Sequence, residues 1–182
     1  MGVMSIMLII GFDIAVRKSG ISVLDTENLN ISNYFLLDYK EVFDDTYVSA
    51  VKHKKFLSEQ VNKFMLNLPV DKPIVFVVES LPSGGTFATS IKIAVAKTNL
   101  FHVLTDVIES NKYSNISVIT TTVYEWKKSV FGSHNFKKEL TSQKLRDSYS
   151  AKISIPEVVF GNGDLSDATS LSIFGAKKHQ II

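Results

Sequence analysis

A chain of 182 residues and 20.3 kDa is expected to form one domain. Hydrophobic residues at 45%, twelve Phe among them, supply a sizeable core and exclude wholesale disorder. A formal charge of +2 is too mild to argue for any partner, and the absence of cysteine excludes disulfides, zinc–thiolate sites and thiol nucleophiles.

The chain opens on an apolar run without alternation, residues 6–12, which predicts a strand buried on both faces and ends at Asp13. The longest early apolar run, residues 3–12, is too short to span a bilayer, and no basic segment precedes it as in a signal peptide; a soluble intracellular protein is expected. A polar turn over residues 17–20 leads to an alternating strand at 21–24, and a turn at Glu27-Asn28 leads to a third strand at 31–39. Two short turns joining three strands imply an antiparallel meander.

The period then becomes helical. Tyr47, Val51, Leu57, Val61, Phe64, Met65 and Leu68 mark a helix with Asp44 and Asp45 near its start, ended by Pro69 and Pro73. A second fully apolar run, 74–78, is closed by Glu79. After the loop Pro82-Ser83-Gly84-Gly85 come a long helix over about 87–110 and a fifth strand at 116–119. Helix with an interruption near Gly132 spans 124–149, and a last helix runs from about 164 to 178. This order predicts an α/β fold: a mixed five-stranded sheet, three antiparallel strands and then two parallel ones, flanked by helices.

Four carboxylates stand out by position. Asp13 and Glu79 end buried strands, where an unpaired carboxylate costs several kcal/mol in order of magnitude, so a compensating cation is expected. Asp164 and Asp167 are spaced to share one helix face. Taken alone, that pair reads as a helix N-cap and its first-turn companion. Four oxygen donors without a histidine or cysteine cluster suit Mg²⁺ or Mn²⁺ and not zinc.

The basic residues are concentrated. Between Thr120 and Lys152 seven cations face three acids, leaving +4 there and −2 elsewhere. Lys127, Lys128, Lys137, Lys138 and, in the same segment, His134 lie there; on charge alone the stretch is a solvated helix face first and a grip on phosphates second. The long helix carries apolar residues on more than one face (Ile91, Ile93, Val95, Leu100, Val103, Val107 and Ile108 among them); one face suits the sheet, and the excess suits either a dimer interface or burial under later helices.

Gly11-Phe12-Asp13 followed by Ser19-Gly20, then Val77-Val78-Glu79, then Trp126-Lys127 with Gly132 and Lys138, then Asp164-Leu165-Ser166-Asp167-Ala168 resemble, in order, the landmarks of the RuvC-like Holliday junction resolvases. The resemblance runs from about residue 6 to 175. It implies a ribonuclease H-like fold and a homodimer that binds a four-way DNA junction and nicks two strands. It also implies two Mg²⁺ ions on Asp13, Glu79, Asp164 and Asp167, flanking the reacting phosphate roughly 4 Å apart. The chain departs from the family pattern at Ile14-Ala15, where Pro-Gly or Ile-Gly is usual. Pro82 stands where bacterial members carry a junction-centre aromatic, for which Phe87 is the candidate substitute.

Three other readings compete. An actin-like ATPase shares the strand-ending Asp but needs two such domains. A nuclease of the same fold could act on flaps, branched DNA or RNA–DNA hybrids. A junction-binding protein could keep the fold without the chemistry.

Overall fold

The computed structural model describes residues 6–39, 46–80, 86–110, 112–113 and 115–182; the side chain of Phe87 also lies outside the description. Asp44, Asp45, Pro82 and the Gly84-Gly85 loop are therefore outside the described residues.

Three strands, β1 (Leu8–Asp13), β2 (Lys18–Asp25) and β3 (Asn30–Asp38), form the antiparallel meander. Two more, β4 (Ile74–Glu79) and β5 (Ile116–Thr121), add to it in parallel, giving the sheet order β3-β2-β1-β4-β5. Helices α1 (Tyr47–Met65) and α2 (Phe87–Glu109) make the two crossovers. The tail holds α3 (Val123–Phe131), a 3-10 turn (Lys138–Leu140), α4 (Thr141–Tyr149), the short α5 (Glu157–Phe160) and α6 (Gly163–Lys178). The ribonuclease H-like expectation for strand number, direction and order is met.

Strand periodicity divides the core. Leu8, Ile10 and Phe12 of β1, with Ile74, Phe76 and Val78 of β4, face α1 and α2. Ile9 of β1 and Val75 and Val77 of β4 face α6 and its covering helices. By the same two-residue period Asp13 and Glu79 belong to the α6 side. The polypeptide thus places both strand-ending acids on the face that receives the last helix.

Helix α6 is buried along nearly its whole length, from Leu165 to Ala176, because it lies between the sheet and α3, α4 and α5. Glycines let it sit that close. A Cβ on Gly11 would run into the Ala168 carbonyl and lie 2.8 Å from Ser172 N, and one on Gly20 would run into the Asp164 carbonyl. Gly20 is therefore a packing glycine inside β2 and not part of the turn that the sequence predicts at 17–20. The true turn is residues 14–17, closed by Ser19 Oγ, which accepts from Ala15 N (3.1 Å) and donates to Ala15 O (3.3 Å).

Helix α2 buries Ala96, Leu100, Val103, Leu104 and Val107 and leaves Ile91, Ile93 and Val95 half-buried and Ile108 exposed. No described helix is long and apolar enough to cross a membrane.

Candidate active site

The acids meet at the carboxyl ends of β1 and β4. These strands are parallel neighbours, with Phe12 in register with Val78, so Asp13 and Glu79 emerge side by side. The α6 N-terminus arrives above them. Its N-cap is Asn162, whose side-chain oxygen accepts from Asp164 N (3.0 Å) and Leu165 N (3.1 Å). That corrects the capping alternative: Asp164 is left free to face the sheet.

Three of the four carboxylates converge on one ammonium. Lys138 Nζ lies 3.1 Å from Asp164 Oδ1, 3.2 Å from Asp167 Oδ2 and 3.5 Å from Asp13 Oδ2. The fourth acid stands beside them, held by other partners. Trp126 Nε1 donates to Glu79 Oε2 (3.1 Å), and Lys97 Nζ donates to Glu79 Oε1 (3.2 Å) and to the Ser80 carbonyl (2.6 Å). Glu79 is largely buried and close enough for its charge to act on Asp13. It does not point into bulk water.

The cluster is electrostatically loaded. Burial, above all, lifts the Asp13 carboxyl to about 7; Lys138 opposes the rise, and Asp167, Glu79 and Asp164 add to it. Burial also raises Asp167, against the pull of Lys138. For Lys138 burial works against the charge, but Asp13, Asp167 and Asp164 together outweigh it and hold the ammonium protonated well beyond the usual lysine range.

A stability consequence follows from the sign. Asp13 binds its proton more tightly folded than unfolded, so its contribution is greatest in acid and is lost as pH rises from about 4 through about 7. The metal-free protein should therefore melt at a lower temperature at pH 8 than at pH 6. Thermal melts in chelator check this, and Asp13→Asn should flatten the difference.

Among the described residues no three acids or histidines form a ready-made metal cage. What the three carboxylates surround is the lysine nitrogen, itself a stand-in cation. Asp167 Oδ1 and the Thr141 hydroxyl are both buried without a hydrogen bond, and Thr141 lies near enough to the Asp167 carboxyl to favour its charged form. Oxygen donors alone, an excess of negative charge and an unsatisfied carboxylate oxygen fit a hard divalent cation.

The basic candidates do not behave as a group. Lys128, Lys137 and His134 are exposed, with the His134 ring 4.3 Å from that of Tyr124. Lys127 is not: it is 7% exposed, its ammonium 4.5 Å from the centre of the Phe136 ring, which corrects its reading as a surface phosphate contact. Lys138 is turned inward to the acids, and Phe87 opens α2. Three participants escaped the sequence: Lys97, Trp126 as a partner of Glu79, and Asn162. The signal for Lys97 was a lysine on the same buried stripe as Leu100 and Leu104. Beside Asp164 a cavity of about 860 Å³ opens, lined by Val16, Arg17, Lys18, Asp38, Tyr39 and Ile93 among others.

No family model and no curated protein sequence matches this chain. Solved structures do. It superposes on the Thermus thermophilus RuvC structure with a TM-score of 0.63 at 13% identity, over 96% of both chains. It superposes on T. thermophilus RuvC in complex with a Holliday junction substrate with a TM-score of 0.64 at 12% identity, again over 96% of both. The yeast mitochondrial Holliday junction resolvase Ydc2 gives 0.64 at 13% identity, over 99% of this chain and 82% of that one.

The chain has the RuvC fold. That fold is ribonuclease H-like, and the likeness extends over nearly the whole chain, as the spread of sequence landmarks from residue 6 to 175 implies. In this RuvC fold the acids of β1, β4 and α6 are gathered by strand register and by the seat of one helix, while the segment from Lys127 to Lys138 passes beside them.

Proposed function

We propose that this chain is a structure-selective DNA endonuclease that resolves four-way junctions by paired, divalent-metal-dependent phosphodiester hydrolysis. One observation carries the reading: carboxylates from β1 and α6 meet on a single cation, beside the acid that ends β4, in a chain with the fold of RuvC. The T. thermophilus protein of that fold is solved with a Holliday junction substrate, and the yeast neighbour is a Holliday junction resolvase.

Asp13, Glu79, Asp164 and Asp167 would hold two Mg²⁺ ions, with Mn²⁺ a natural substitute. Bound there, the ions would polarise the phosphodiester and neutralise charge on the attacking and leaving oxygens. The protein's own work is placement. Asp13 is fixed by its strand; Glu79 is clamped between an indole N–H and a buried ammonium. The N-terminus of α6 turns its positive dipole end toward the same place, which favours the anionic side chains gathered there. The carboxylates hold cations and need not shuttle protons.

DNA would lie across the exposed Lys128, Lys137 and His134, with Lys127 supporting that loop from beneath through Phe136. The cavity beside Asp164, with Arg17 and Lys18 among its walls, has room for the strand entering the site. Phe87, at the start of α2, is the candidate aromatic for the junction centre. Two symmetric nicks need two sites, hence a homodimer, and the half-buried Ile91 and Val95 of α2 offer an apolar surface for it.

The test is direct. Purified protein is mixed with end-labelled four-way junction, linear duplex, flap and RNA–DNA hybrid, in Mg²⁺ or in chelator. Paired nicks on the junction alone, and only with the metal, are expected. Cutting of flaps or hybrids in preference would assign another nuclease of the same fold, and junction binding without cleavage in Mg²⁺ or Mn²⁺ would overturn the enzymatic reading.

A further inference from the structure

Lys138 is a basic residue whose ammonium does not face outward. It closes an ion pair with each of three carboxylates drawn from two elements that are 125 and 26 or more residues away in sequence. Its backbone belongs to a three-residue 3-10 turn with no buried residue, and half of its side chain is exposed. The acids are anchored by a core strand and a buried helix; the lysine is not. One ammonium also undercompensates the three carboxylates it touches, Glu79 being paired with Lys97, and Asp167 Oδ1 stays buried with no hydrogen bond of its own.

We infer that Lys138 holds the place of the divalent cations in the free protein and moves to a DNA phosphate when substrate binds, so that metal and DNA load together. The inference rests on the nuclease reading and adds an order of events to it. A lysine ammonium and a divalent cation cannot both sit between the same three carboxylates. Divalent binding to the free protein must therefore displace Lys138, and the displaced ammonium needs a new anion. A phosphodiester laid along Lys128 and Lys137 supplies it. DNA without metal would leave Lys138 with its carboxylates, and metal without DNA would leave it unpaired. By reciprocity each ligand tightens the other by the same factor. Lys138 is thus a positioning residue for the metal, and it keeps its charge throughout.

Mn²⁺ binding to the DNA-free protein, followed by loss of the free-ion electron paramagnetic resonance signal, tests the idea in wild type, Lys138→Gln and Lys138→Arg. Lys138→Gln should bind Mn²⁺ at least about tenfold more tightly than wild type, one tenfold step being a modest coupling, while Lys138→Arg, which keeps a cation there, should not. Junction affinity by fluorescence anisotropy should rise with Ca²⁺ in wild type and much less in Lys138→Gln. Melting in chelator shows whether each variant is folded; Lys138→Gln should lose stability there and regain it with Mn²⁺, whereas a merely structural lysine would leave the loss unrepaired. Equal Mn²⁺ affinities in folded wild type and Lys138→Gln would overturn this inference and leave the nuclease reading standing. Absence of Mn²⁺ binding in every protein, with or without uncleaved junction, would overturn both.

Discussion

Asp13→Asn should abolish junction cleavage while leaving junction binding in chelator nearly unchanged. The substitution keeps the shape of a side chain that is 9% exposed at the end of a core strand and removes its charge. It takes one carboxylate from the set on Lys138 and one repulsive partner from Asp167, Asp164 and Glu79. The fold should therefore gain stability in the absence of metal, while the capacity to hold cations falls. A loss of about 10³-fold or more in cleavage rate is expected, on the order of 4 kcal/mol in barrier. Rates on labelled junction in Mg²⁺ and binding by gel shift in chelator, on the same preparation, check it. If binding and melting temperature fall together with cleavage, Asp13 is a structural residue and the catalytic assignment is wrong.

Gly11→Ala should unseat the helix that carries two of the acids. The added methyl would meet the Ala168 carbonyl, Ser172 N at 2.8 Å and Leu171 Cβ at 3.0 Å, all on α6. Backbone cannot give way as the tip of a long side chain can, so α6 must move as a body. Overpacking of a tight core costs about 1–3 kcal/mol, and a clash with backbone belongs at the upper end of that range. For a chain of this size that is a fall of about 6–12 °C in Tm. Because Asp164 and Asp167 ride on α6, cleavage should fall at temperatures where the variant is still folded. An unchanged Tm would mean that the helix is not seated on the sheet as closely as described.

Much of this architecture was legible because the sheet is written in period-two and fully apolar runs that its neighbours do not share. The unbroken run 6–12 and the run 74–78 became β1 and β4, and the acids ending them emerged side by side because parallel neighbours in register bring their ends together. The three-residue spacing of Asp164 and Asp167 placed both on one side of α6. Lys18-Ser19-Gly20 was misread because its composition is that of a turn; the glycine is there for the helix packed across it, a contact 144 residues distant that no local pattern announces. The four-residue α5 is too short to leave a period.

The charge logic of the site was the least legible part. Lysines at 127, 128, 137 and 138 look alike in sequence, yet one is stacked on an aromatic ring, two are exposed, and one is clasped by carboxylates from the far end of the chain. Which way a cation turns is decided by tertiary contacts, and the sequence records only that a cation is present. Lys97 shows the converse: it sits on the apolar stripe of α2 because Glu79 and the Ser80 carbonyl satisfy it there. Asn162 displaced Asp164 as the cap because it stands one position outside the helix start and its amide oxygen reaches two backbone N–H groups.

The most direct measurement is anomalous diffraction from crystals of the protein bound to a four-way junction and soaked in Mn²⁺. Manganese peaks should lie in contact with the carboxylates of Asp13, Glu79, Asp164 and Asp167, with the Lys138 ammonium withdrawn to a phosphate. Peaks elsewhere, or none with DNA bound and Lys138 still among the acids, would contradict a divalent-metal nuclease site at this place.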